Sequence, residues 1–162
     1  MSAALDEAWF STLGVPLGDA ERAEISAYLD GLGLRADLPV HPASSWREAA
    51  DLCRQPAGEW WRAEEAERAR LERTARLDPA DAAWLQVAER LHGAAAVAAT
   101  RSGCANAALI RVAAGAATYA AYQQRLARAA GAPDAHPFMR KYALYSGGRW
   151  PLGVYGERFA IF

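Results

Sequence analysis

Residues 78–132 read DPADAAWLQVAERLHGAAAVAATRSGCANAALIRVAAGAATYAAYQQRLARAAGA. Alanine fills 22 of these 55 positions, and side chains that small let helix axes approach closely. Asp78-Pro79 reads as a helix start, with Asp at the N-cap, Pro at N1 and Asp81 at N3. Trp84, Leu85, Val87, Ala88 and Leu91 form its buried side, and it runs to about Thr100. Arg101-Ser102-Gly103 breaks it. A second helix spans about Asn106 to Ala130, closed by Gly131 and Pro133. The two are expected to form a central antiparallel pair.

The flanking segments carry shorter helix signals. Ala3 to Phe10 is a short helix candidate with Leu5, Trp9 and Phe10 on its apolar side, stopped by Gly14 and Pro16. Asp19 reads as an N-cap. Ile25, Tyr28, Leu29 and Leu32 follow at i, i+3, i+4 and i+7, and Gly31 and Gly33 end that helix. Residues 35–44, with Pro39 and Pro42, read as a loop. Ser45-x-x-Glu48 is a capping box for a helix to about Arg54. Glu59 to Arg76 alternates in charge, with Glu64–Arg68 and Glu72–Arg76 at i,i+4. It reads as a solvated helix anchored at its ends by Trp60, Trp61 and Leu71.

Beyond the central pair, Pro137 marks N1 of a last helix over Phe138 to Tyr145, stopped by Gly147-Gly148. Residues 150–162, WPLGVYGERFAIF, read as a β-hairpin around Gly156-Glu157, with Leu152, Val154, Phe159 and Ile161 as the buried side. The expected fold is mainly α: residues 1–162 form a single-domain bundle of five to seven helices with a short C-terminal hairpin. An open hairpin edge would let two copies pair as a homodimer.

Composition narrows function. The chain has 162 residues, 52% hydrophobic, with a formal charge of −1. Disorder is excluded by the apolar content. The longest run without Asp, Glu, Lys or Arg, 112–124, is too short for a membrane span, which needs about 20 residues. The N-terminus lacks a basic signal-peptide region, and two cysteines make no disulfide scaffold, so a cytoplasmic protein with two unpaired thiols is expected. The near-neutral charge argues against a nucleic-acid surface. Yet residues 1–89 hold 17 acids and 9 bases, and residues 90–162 hold 2 acids and 9 bases. Either the halves neutralise each other, or the basic half holds an anion.

No catalytic constellation emerges, and no metal or cofactor is implied. His41, His92 and His136 share no helical spacing. Glu89-x-x-His92 has di-iron spacing, but the helix from Asn106 to Ala130 carries no carboxylate to complete such a site. Cys104, beside Arg101 at a helix start, reads as a buried thiol, with a reactive one as the alternative. Arg111, Gly115, Thr118 and Tyr122 line one side of the second alanine-rich helix. If that side faces a cleft, Arg111, Thr118 and Tyr122, with Arg101 and His92, would bind a small anionic or aromatic molecule. The leading expectation is a non-catalytic binding or accessory protein (immunity, regulatory or pathway-helper type) with a protein partner. The alternative is a cofactor-independent enzyme or binder using that arginine-containing pocket.

Overall fold

The computed structural model describes residues 8–56, 58–77 and 81–162. The fold is mainly α: the described residues form six helices and a small three-stranded sheet, and 59% of them are helical. In chain order the elements are α1 (Asp19–Gly31), β1 (Val40–Pro42), α2 (Trp46–Cys53), α3 (Gly58–Glu72), α4 (Ala82–Arg101), α5 (Ala107–Ala129), α6 (Pro137–Ser146), β2 (Pro151–Tyr155) and β3 (Arg158–Ile161).

Helices α4 and α5 form the most extensive contact between elements. Ala95 and Ala99 of α4 and Ala113, Ala114, Ala117 and Ala120 of α5 are almost wholly buried. Caps set the helix starts. Asp81 is the N-cap of α4 and accepts from the N–H of Ala83 and Trp84. The expected start at Asp78-Pro79 lies outside the described residues, and the capping carboxylate is the next acid along. Asn106 caps α5 in the same way. Ser45 caps α2, but Glu48 completes the motif differently from the expected box, accepting from the N–H and hydroxyl of Ser44 instead of the Ser45 N–H.

Three readings are corrected. Around Trp9 and Phe10 the chain makes a turn, not a helix, and Phe10 has φ 56°, outside the right-handed helical region; Leu5 lies outside the described residues. The N-cap of α1 is Gly18, not Asp19, because Glu21 reaches back to accept from the Gly18 N–H. Residues 35–44 are not all loop. Val40–Pro42 runs parallel to β3, pairing Val40 with Phe159 and Pro42 with Ile161, in a sheet of order β1-β3-β2. Pro42 is tolerated because β1 is an edge strand.

β2 and β3 form the expected hairpin around Gly156-Glu157, with Tyr155 opposite Arg158. A bulge between Pro151 and Gly153 interrupts the register. Gly153, at φ +135°, lets the backbone lie against Trp60, whose ring a Cβ would meet at 3.2 Å. The hairpin does not bury one side only. Phe159 and Ile161 join the cluster of Ile25, Tyr28, Leu29 and Trp60. Ala160 and Phe162 join the cluster of Trp46, Trp150 and the helical alanines. β3 is therefore a central strand covered on both faces.

The charge asymmetry closes on itself. Glu21–Arg149, Glu24–Arg140, Glu64–Lys141, Glu67–His136 and Asp81–Arg125 each join an acid of the first half to a base of the second. Among the described residues no helix is long and apolar enough to cross a membrane.

Candidate functional site

The strongest departure from expectation lies on α3. Its residues 60, 64, 67 and 71 fall at i, i+4, i+7 and i+11, one helical face. Trp60, Glu64 and Leu71 on that face are buried. Glu64 has no exposed surface. The expected Glu64–Arg68 surface pair does not form; Arg68 binds Glu65 and Glu72 instead. Helix α3 is not a solvated rod, because its inward face carries a carboxylate that the core must satisfy.

The partner is Lys141 of α6, the chain's only lysine. Its Nζ lies 2.7 Å from both Glu64 oxygens and donates to Gln123 Oε1 of α5 at 2.9 Å. Tyr28 donates to Glu64 Oε1 at 2.5 Å, and Trp60 Nε1–H donates to Tyr28 Oη at 2.7 Å. The ammonium also lies 5.2 Å from the centre of the Trp60 ring and 5.8 Å from that of Tyr119, within cation–π range. Burial, and then the Glu64 charge, push the Tyr28 phenol well above its usual range, so it stays a donor. One group is left over: Gln123 Nε2 is buried without a partner among the described residues.

Above this pair opens a cavity of about 370 Å³ between α3, α5, α6 and β2. Six aromatic residues line it: Trp60, Trp61, Tyr119, Tyr145, Trp150 and Tyr155. Glu64 and Lys141 are on its wall, with Cys53 and Gln55. Tyr119 is held by its hydroxyl, which donates to Glu65 at 2.7 Å, and Tyr155 donates to Leu152 O at 2.8 Å. Burial raises the Tyr155 phenol to about 12 and the Cys53 thiol to about 11. Both are neutral near pH 7, so among the described residues the only formal charges on the wall are the paired ones.

On the α5 side the wall includes Gly115, where an added Cβ would meet nothing within 4 Å. Glycine inside a helix costs about 0.5–1 kcal/mol relative to alanine, and no close backbone approach explains it here. Its effect is open space. Trp61 and Val112, 47% and 50% exposed, also border the cavity.

No family model matches this chain, and neither does any curated protein or solved structure. The site is therefore read from its own chemistry.

None of the five residues expected to bind a ligand lines this cavity. Arg111 is exposed on α5, and no ion-pair partner lies near it among the described residues. Thr118 donates to Ala114 O of its own helix at 2.8 Å. Tyr122 donates to Glu72 at 3.1 Å and its ring stacks beside Tyr119. His92 is half-buried on α4, and Arg101 is exposed at its end. Arg101 borders a different cleft, of about 740 Å³, between Trp9, Phe10 and the Gly93–Val97 side of α4. That cleft is larger, but among the described residues it carries no other charged group. On α5 the cavity over Lys141 uses Val112, Ala116 and Tyr119, the positions next to Arg111, Gly115 and Thr118.

Both cysteines are unpaired thiols. Cys104 is buried, its Sγ 3.8 Å from Asn106 O. Among the described residues no three His, Cys, Asp or Glu side chains gather as a metal site would require.

Proposed function

We propose that this chain is a non-catalytic binding module for a small, largely apolar, ring-containing molecule, held in the cavity between α3, α5, α6 and β2. The observation that carries this reading is an aromatic-walled cavity of ligand size, seated on a fully buried Lys141–Glu64 pair and kept open on the α5 side by Gly115. A buried ion pair adds little net stability over apolar packing of the same volume. Beside a cavity, it fixes the floor and the aromatic rings around it in one arrangement, which is what a preformed binding site needs. This reading sets aside the protein partner that led the expectations from sequence and takes up the small-molecule alternative, with aromatic walls in place of the arginine pocket.

N-phenyl-1-naphthylamine, an uncharged fluorophore that brightens in apolar sites, tests the reading. The protein should enhance its emission, and Gly115→Trp, which fills the space beside α5, should weaken binding at least tenfold with the melting temperature unchanged or raised. No enhancement with the folded protein, or equal binding by the variant, would overturn it.

A further inference from the structure

Resting on that reading of the cavity, the charges and hydrogen-bonding groups on its wall narrow the ligand further. Aromatic walls commonly receive organic cations. Here the ring faces of Trp60 and Tyr119 already hold the Lys141 ammonium, at 5.2 and 5.8 Å. A second cation would meet it at close quarters. An anion is not recruited either, because Glu64 straddles Lys141 with both oxygens and takes up its charge. The pair presents no net charge to the cavity, and an ionised ligand would lose its hydration without a free counter-charge. An uncharged ligand remains.

Tyr145 supplies the polar anchor. The residue is 2% exposed, yet its hydroxyl makes no hydrogen bond among the described residues. It is not sealed off, because the fully enclosed unpartnered side-chain atoms are those of Trp9 and Gln123 alone among the described residues. Tyr145 lines the cavity together with Glu64 and Cys53. Neither paired nor sealed among the described residues, its hydroxyl faces this open wall. Burial raises its pKa, with the Glu64 charge adding to the effect, so it remains protonated and offers a proton to an acceptor.

We infer that the ligand is an uncharged aromatic molecule bearing a carbonyl oxygen, which accepts a hydrogen bond from Tyr145 Oη while its ring packs against the aromatic side chains that line the cavity. A buried donor that the protein leaves unpaired discriminates strongly in favour of a ligand that pairs it.

Competition against bound N-phenyl-1-naphthylamine reads this directly, using 2-acetylnaphthalene, 2-ethylnaphthalene and 2-naphthoate. The ketone should displace the probe at a concentration at least tenfold lower than either the hydrocarbon or the carboxylate. Tyr145→Phe removes one oxygen that touches no protein partner, so it should fold and melt as the parent does while ketone and hydrocarbon become equal. Equal displacement by ketone and hydrocarbon in the parent protein overturns the carbonyl anchor, and tightest binding by 2-naphthoate overturns the uncharged ligand. A variant that weakens all three alike reduces Tyr145 to packing and also overturns it. Each of these results leaves the cavity reading standing. That reading falls only if the fluorophore itself fails to bind or is indifferent to Gly115→Trp.

Discussion

Among the described residues Arg149 and Lys141 are both buried, and their surroundings differ in kind. Arg149, 2% exposed, sits just after α6. Its guanidinium donates to both Glu21 oxygens and to the carbonyls of Thr12, Val15 and Pro16. These five bonds engage all three of its nitrogens. Lys141, 3% exposed, is bound to Glu64 and Gln123, but among the described residues Gln123 Nε2 has no partner and no hydrogen bond reaches the nearby Tyr145 hydroxyl. The first knot is closed and ties the 12–16 segment to α1 and α6. The second is open on the side where a cavity lies. Two equally buried charges thus differ in the degree of saturation around them.

Breaking each knot should expose this difference. The largest effect is expected from Glu64→Leu, which strands a buried ammonium and should lower stability by about 3–5 kcal/mol in urea unfolding. Adding Lys141→Met should restore most of that loss, since two apolar side chains can fill the space. Arg149→Met should also be severe, but adding Glu21→Leu should recover little, because three carbonyls remain unpaired. Equal rescue at both knots would erase the distinction.

The tyrosines sharpen it at smaller scale. Tyr28 donates to a buried carboxylate, so Tyr28→Phe should cost about 1.5–3 kcal/mol. Tyr145→Phe should stay within about 0.5 kcal/mol of the parent in the same assay. Gly115→Ala on the open side should stabilise the protein by about 0.5–1 kcal/mol.

Acid should loosen the closed knot gradually. Glu21 lies below its usual 4.5 because it accepts from Arg149, and Glu48 falls to about 2 because Ser44 and His41 bind it. A carboxyl depressed on folding contributes its full stability above about pH 4.5 and loses it as pH falls through the folded value. Both carboxylates are about one-third exposed, so solvent screening holds each contribution to about 1 kcal/mol. Thermal unfolding between pH 6 and 2 should therefore show a shallow decline that starts below pH 5. Stability that rises in that window would contradict the assignment.

The bundle was legible because its signals are local. The alanine density of 78–132, the Ser45 cap, Pro137 at N1 and the Gly156-Glu157 turn each act over a few residues. β1 was not, since Val40–Pro42 has strand geometry only because β3 pairs with it from the far end of the chain. The Glu64–Lys141 pair was hidden for a related reason. Glu64 resembles its neighbours in a run of alternating charges, and only the spacing of Trp60, Glu64 and Leu71 marks it as inward-facing. A second signal was present in the single lysine among 18 basic residues. The polar stripe on α5 drew attention to Arg111, whereas the aromatic cavity is bordered by Val112, Ala116 and Tyr119 of the same helix. The choice between Arg111 and Tyr119 depends on where α3 docks, and periodicity within α5 alone carries no such information.

The parallel seam of β1 and β3 bears on how the chain folds. It joins Val40 to Phe159, so closing it requires nearly the whole polypeptide to be gathered first, whereas α4 and α5 meet across a five-residue turn. Contacts between distant segments carry a larger loop-closure entropy and form later. The helical hairpin should accordingly assemble early as a scaffold. Docking of the sheet would then be the slow event that brings Trp150, Leu152 and Tyr155 into place. Until that seam closes, the aromatic cavity lacks its β2 wall, and binding competence should appear only in the last kinetic phase of refolding.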